Sequence, residues 1–174
     1  MSEREFSKKC GKCRQRAVTL DTVCYTVEFD HDGRKYEVTI PDLVVPRCGN
    51  CGTIVLDEEA NRQISAAFRR KAGLLSPEQI RQHRVALGLT QQALADLLSV
   101  GVSTLSRWET GTQIQQRSFD RFLRATFLLP ELRRALADDK ALQLPEQPPQ
   151  QLDSAWQEQA AESPSLQNVP DSTP

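Results

Sequence analysis

Four of the five cysteines fall in two pairs of equal spacing, Cys10-Gly11-Lys12-Cys13 and Cys48-Gly49-Asn50-Cys51. Each Cys-x-x-Cys pair can turn two sulfurs toward one point, and together they supply the four soft ligands that a tetrahedral Zn²⁺ accepts. With every coordination position taken by sulfur none is left for water or substrate, so the expected chemistry is one structural zinc per chain, not hydrolysis. Paired disulfides fit poorly with a chain whose start, Met1-Ser2-Glu3-Arg4-Glu5, has no signal-peptide character. A redox Cys-x-x-Cys would need a βαβ context that the sequence lacks. The glycine after the first cysteine of each pair is expected to let backbone N–H groups approach the sulfurs. Arg14 replaces a glycine that such a turn often carries, and should strain the first turn or set a cation beside the sulfurs.

The remaining candidates for chemistry are few. Cys24 shares a face with Thr22, Thr26 and Glu28 in an alternating stretch and reads as an incidental, semi-exposed thiol. His31 lies in a turn. His83 sits three residues after Ile80 on a helix, where an apolar side chain is usual, and reads as a packing residue. There is no Gly-x-Ser-x-Gly, no P-loop and no His-rich cluster, so no catalytic residue is expected.

The elements that must position the sulfurs are legible between and after them. Apolar residues alternate through 23–29 and 35–40 around Asp32-Gly33, the signature of a β-hairpin, and Thr53-Ile54-Val55 is expected to add a short strand. Asp57-Glu58-Glu59 then open a helix that carries Ala60, Ile64, Ala67 and Phe68 and ends in Arg69-Arg70-Lys71 before Gly73. Acids first, bases last and a closing glycine suit a helix dipole and its caps, and the Ile64 and Phe68 stripe should bury against the hairpin.

Residues 76–137 read as helices only. Ser76-Pro77-Glu78-Gln79 opens the first, which should stop at Gly88, and Thr90 caps a second running through Leu98. A turn over 99–102 leads to Ser103, expected to cap a third helix through Glu109. A fourth is expected over 117–129, with Phe119, Phe122, Leu123 and Phe127, and a fifth opens at Pro130 with Leu132 and Leu136. The run from Leu89 to Gly111 resembles the Cro/repressor-type helix-turn-helix: Ala93 is small where the helices cross, and Leu94, Leu97, Leu105 and Trp108 fill the contact. In that family the second helix of the motif enters the major groove. The resemblance therefore implies that Ser103, Thr104 and Arg107 meet bases in double-stranded DNA, with Arg107 suited to a forked contact with guanine, while Gln91 binds phosphate. Three reading residues select too little sequence alone, so a homodimer reading two half-sites roughly 34 Å apart is expected. The apolar surface after Gly111 would build the two-fold contact or complete a five-helix core.

Charge and composition set the boundaries. The formal net charge of −1 conceals 13 basic against 11 acidic residues over 1–75, 8 against 5 over 76–137, and 1 against 7 over 138–174. All eight cations of the middle segment are arginine, which suits forked contacts to phosphates and base edges. Six of the ten prolines fall from residue 138 on, and that acidic, Pro- and Gln-rich stretch reads as a disordered tail, with 152–161 able to form at most a transient helix or docking segment. No apolar run approaches the length of about 20 residues needed to cross a bilayer, which points to the cytoplasm with no membrane partner. The expectation is an α+β chain: a zinc-ribbon-like β-hairpin domain with a helix (1–75), an all-α five-helix helix-turn-helix domain of Cro/C1 type for DNA binding and dimerisation (76–137), and the tail (138–174).

A four-cysteine ribbon followed directly by such a helix-turn-helix is similar to the MqsA family of type II antitoxins, also described as YgiT-type zinc-finger regulators. The similarity covers 10 to about 137: both cysteine pairs, the start at Leu89-Thr90-Gln91, the run from Gly101 to Gly111 and the step Pro130-Glu131-Leu132. It implies a structural zinc, a zinc domain that binds a ribonuclease toxin, and a helical domain that dimerises and represses its own operon. Ser103 stands where the family has a base-reading asparagine, which implies a different operator, and the acidic tail has no counterpart in the compact family antitoxin. A stand-alone regulator without a toxin and a protein-binding ribbon adaptor are the alternatives.

Overall fold

The computed structural model describes residues 8–139 and 141–144. Among them the order is β1 (Lys8–Lys9), β2 (Arg16–His31), β3 (Arg34–Cys48), α1 (Glu58–Ala72), α2 (Pro77–Ala86), α3 (Gln91–Leu97), α4 (Val102–Glu109), α5 (Arg117–Leu128) and α6 (Pro130–Asp139). The class is α+β, as expected: a three-stranded antiparallel sheet in the order β1-β2-β3, then helices. Beyond the end of α6 and residues 141–144, the tail, including 152–161, lies outside the described residues. Two compact units form. The residues up to Pro77 join Arg107–Arg121 in one, and Glu78–Ser106 join those from Phe122 onward in the other.

In the first unit the hairpin turns at Asp32 (φ 53°) and Gly33 (φ 69°), the two positive-φ positions that a type I′ turn requires. It is far longer than the alternation predicted: β3 runs on through Pro41 and Pro46, which are tolerated because it is an outer strand of the sheet, where a missing N–H costs little. The pairing passes from Tyr25 with Ile40 to Val23 with Leu43, so Pro41 and Asp42 bulge opposite Cys24. That extra residue reverses the side-chain parity of β3: Tyr36, Val38 and Ile40 share the inner face with Leu43 and Val45, although one set is even-numbered and the other odd. Cys24 is exposed, as its face predicts.

The third strand is not the expected 53–55 segment. That stretch makes only the bridge between Ile54 and Arg47, since few residues separate the left-handed turn at Gly52 from the cap of α1. The strand is β1 instead, two exposed lysines paired with Arg16 and Val18, which no apolar pattern announces. Asp57 caps α1 by accepting from the Ala60 N–H at 2.9 Å, and Gly73 ends it at φ 68°. The Gly73 and Leu74 amides return to the Arg70 and Arg69 carbonyls, and Leu74 is buried beside them, the pattern of a Schellman cap. Ala60, Ile64, Ala67, Phe68 and Ala72 form the buried stripe of α1, packed on the inner face of the hairpin as predicted. Phe68 is fully buried among Phe29, His31 and Tyr36, with ring centroids 4.5, 5.2 and 5.4 Å away. Burying one such side chain contributes about 1.5–3 kcal/mol.

The segment Arg107–Arg121 closes this unit through polar contacts. Gln115, wholly buried, donates from Nε2 to the Leu75 carbonyl at 2.7 Å and to Asp120 Oδ1 at 3.1 Å, and the same carboxylate oxygen accepts from the Leu75 N–H at 2.7 Å. His31 Nε2 meets the Gln115 carbonyl at 3.2 Å.

In the second unit Ile80, Leu94, Leu97, Leu105, Leu123 and Phe127 are buried. His83 is buried against Phe127 with ring centroids 5.1 Å apart, which confirms its packing role. Arg133 reaches back from α6 to the Thr126 and Phe127 carbonyls at 2.8 and 2.9 Å, closing the end of α5. Thr90 caps α3 as expected, its hydroxyl accepting from the Ala93 N–H at 3.0 Å. Ser103 does not cap α4. The helix starts two residues earlier than that cap would set it, at Val102, and Gly101 is its cap, because the Gly101 carbonyl already accepts from the Leu105 N–H.

Candidate metal centre and candidate nucleic-acid interface

The two cysteine pairs fold into the same turn. In the first, the Cys10 N–H donates to the Gln15 carbonyl (2.8 Å) and the Cys10 carbonyl accepts from the Arg14 N–H (3.0 Å). In the second, the Cys48 N–H donates to Thr53 (2.9 Å) and the Cys48 carbonyl accepts from Gly52 (2.8 Å). The residue after the second cysteine takes the left-handed conformation in both, Arg14 at φ 60° and Gly52 at φ 70°. Arg14 therefore carries the strain expected of it. The role expected of the other glycines does not hold: a Cβ on Gly11 would meet nothing within 4 Å, and one on Gly49 only the Ala17 carbonyl at 3.7 Å. Backbone N–H groups do reach the sulfurs, but from Gln15, Asn50, Cys51 and Thr53.

β1, the turn after it and the ends of β2 and β3 bring all four Sγ atoms within 4.8 Å of one another, Cys10 and Cys48 being buried. Cys10 and Cys51 are 3.7 Å apart and Cys13 and Cys48 3.6 Å, contacts that cross between the turns. These are too long for disulfides, and all four thiols are free. They fit a metal instead, since a tetrahedron with metal–sulfur bonds of about 2.3 Å has sulfur–sulfur edges of about 3.8 Å. The thiols are also unlike one another. The Thr53 hydroxyl and N–H pull Cys51 down to about 6, and the Gln15 N–H lowers Cys13. Cys48 receives the Cys51 N–H, which favours its thiolate, yet burial and the neighbouring Cys13 and Cys51 sulfurs push it up to about 11. Four sulfurs this close could all be thiolates only with a cation among them, and the cluster could hold a metal ion.

The second set of candidate residues lies on α3 and α4. Ser103 and Arg107 are exposed and one helical turn apart, with Thr104 half-buried beside them, while Leu105 and Trp108 are buried. Gln91, half-buried, is the first residue of α3, directly after its Thr90 cap. The turn between the helices passes through Ser99 in the left-handed region at φ 55°.

Sequence reasoning missed the polar residues inside the first unit. Arg69 was expected only to complement the α1 dipole, yet it is buried, whereas Arg70 and Lys71 are exposed. Gln115 and Asp120 gave no signal either, because besides each other they bond the backbone of Leu75, which is remote in sequence.

These features define an α+β protein whose amino-terminal β-module carries a four-cysteine centre able to hold a metal ion and is followed by helices. The chain belongs to the family described as the antitoxin component of bacterial toxin-antitoxin system, MqsA, whose model matches residues 8–136. A comparison with curated proteins gave no match. Among the described residues no helix is long and apolar enough to cross a membrane.

Proposed function

We propose that the chain is a homodimeric, sequence-specific DNA-binding repressor of antitoxin type, with a zinc module over 1–75 that binds a partner protein, a ribonuclease toxin, and a helix-turn-helix domain over 76–137. Cys10, Cys13, Cys48 and Cys51 hold the metal. Zinc bound there supplies cross-linking of the two turns and no reaction, since four sulfurs fill its coordination shell. The chain's own residues do the rest of that work: the N–H groups of Gln15, Asn50, Cys51 and Thr53 favour thiolates and aim them inward. No residue is assigned a catalytic role.

The observation that carries the DNA-binding reading is the two-sided character of α4, with Ser103 and Arg107 exposed one turn apart opposite buried Leu105 and Trp108. A helix anchored by one face and offering hydroxyls and a guanidinium on the other suits the major groove. There Arg107 pairs with guanine O6 and N7, Ser103 and Thr104 contact neighbouring bases, and Gln91 at the start of α3 binds phosphate. Exposed Leu128 and Leu129 at the end of α5 and just beyond it suit the two-fold contact.

A salt-titrated gel shift with the DNA upstream of the chain's own reading frame tests this. Retardation of that duplex over a scrambled one at every salt concentration supports the repressor. Metal-dependent capture of the neighbouring gene's product, with no retardation, would favour the ribbon adaptor instead.

A further inference from the structure

The carboxyl end of α4 is gripped by a side chain from α1. Arg69 is only 4% exposed, and its Nη2 donates to the Gly111 carbonyl at 3.3 Å and to the Gln113 carbonyl at 3.2 Å. Those two residues also close α4 with their amides, Gly111 N–H to the Trp108 carbonyl at 3.2 Å and Gln113 N–H to the Arg107 carbonyl at 3.1 Å. One guanidinium nitrogen thus holds both peptide segments that cap the last turn, and only two hydrogen bonds separate Arg69 from the backbone of Arg107. All of these residues belong to the first unit.

Burying a charge is costly unless it is hydrogen-bonded, and α1 already has exposed Arg70 and Lys71 to complement its own dipole. Arg69 differs from them in lying on the buried stripe of α1 with Phe68 and Ala72. Its burial against two carbonyls just past α4 puts a cation at the negative end of that helix, which is favourable there and fixes where the helix stops.

We propose that Arg69 is a positioning residue: by holding Gly111 and Gln113 it sets the direction in which Arg107 leaves α4, so the amino-terminal module aims the base-reading side chain. This rests on the base-reading role of Arg107.

Two readouts on the full chain test it, well below its melting temperature. The first is amide exchange at Gly111 and Gln113. The second is the ratio of affinities for the upstream duplex and for a scrambled duplex of the same length. Arg69→Met is expected to speed exchange at both amides, leave the Asp57-capped start of α1 unchanged, and lower the affinity ratio about tenfold with non-specific binding unaltered. Arg69→Lys, which keeps the charge, is expected to recover part of the ratio, and it decides the matter on the same readouts should the methionine variant not fold. Unchanged exchange overturns the grip itself. Equal loss on both duplexes shows a merely structural arginine and overturns the positioning role. A wild-type chain that binds both duplexes equally overturns the base reading beneath it, while the exchange result still reports on the grip.

Discussion

The Tyr36 hydroxyl in β3 accepts a 2.7 Å hydrogen bond from Arg117, which stands 81 residues later at the start of α5. The same guanidinium nitrogen donates to the Ala72 carbonyl at 3.1 Å, and the Arg117 amide donates to the Asp32 carboxylate at 2.6 Å. The hairpin tip, the end of α1 and the start of α5 are thus joined through one residue. Arg117→Ala leaves the Tyr36 hydroxyl and the Ala72 carbonyl without this donor, and is expected to cost about 1–3 kcal/mol in urea unfolding. With Tyr36→Phe it should form a non-additive cycle, the double variant losing less than the two singles together. Strict additivity would show that the contact contributes nothing.

The metal centre lies at the opposite end of the hairpin from that contact. Val18 pairs with Cys48 beside the sulfurs and His31 pairs with Arg34 beside the turn, a separation of about 40 Å at strand spacing. Chelation, or Cys48→Ser, is therefore expected to abolish metal binding, measured by elemental analysis, and to release amide protection around Cys10, Gly52 and Thr53. Amides near Asp32 and Arg117 should stay protected, because α1 packs on the hairpin between the two ends. Loss of protection at both ends together would mean that the metal organises the whole unit.

What could be read from the sequence was whatever local pattern specifies. The cysteine spacing, the Asp32-Gly33 turn, the acidic opening of α1 from Asp57, the Thr90 cap and the apolar stripe of α1 each depend on residues within a few positions, and each took its expected place. β1 was invisible because two lysines carry no periodicity and pair only once the first cysteine turn has reversed the chain. The extent of β3 was hidden by Pro41 and Pro46, whose tolerance depends on which strand lies at the edge. The start of α4 was misplaced because serine is the better cap by propensity, whereas the turn through Ser99 puts Gly101 there. Arg69 was misread for a similar reason: a basic residue at a helix end has a local explanation, and only the return of Arg107–Arg121 to the first unit reveals the other.

Gly111 is required by two constraints at once. Its φ is 78°, and a Cβ there would stand 3.2 Å from Pro77 Cγ. Alanine would gain something from a less disordered unfolded chain, but the left-handed penalty and the pressed proline ring outweigh it. Gly111→Ala should lower stability by about 1 kcal/mol or more, read as a fall in the urea midpoint at constant slope. An unchanged midpoint would mean that the turn relaxes freely.

Acid should weaken the fold through His83. Burial, and secondarily the positive charge of Arg124, holds its pKa below the ordinary value of 6.5. As pH falls below about 6.5 the unfolded chain takes up a proton here that the folded chain refuses, so stability declines until the folded pKa is passed. Above that range this contribution is complete and flat. His83→Gln is expected to remove this part of the slope between pH 7 and 5 in urea unfolding, and a slope identical to that of the wild type would place the sensitivity elsewhere.

Arg107 and Gln91 are assigned different work on DNA, and their variants should separate accordingly. Arg107 is exposed on α4, with its backbone carbonyl held by Gln113 and by the Thr110 hydroxyl, so truncating the side chain leaves the helix end intact. Arg107→Ala should cost about 1–3 kcal/mol on the preferred duplex and relax preference at one base pair. Gln91 at the start of α3 makes a phosphate contact in this assignment, and phosphate carries no sequence information. Gln91→Ala should weaken binding to preferred and scrambled duplexes alike. Binding measured against every single-base change in one half-site distinguishes the two patterns. If Arg107→Ala instead lowers affinity uniformly across all these duplexes, its guanidinium meets the backbone, and the recognition of bases must rest on Ser103, Thr104 or another surface.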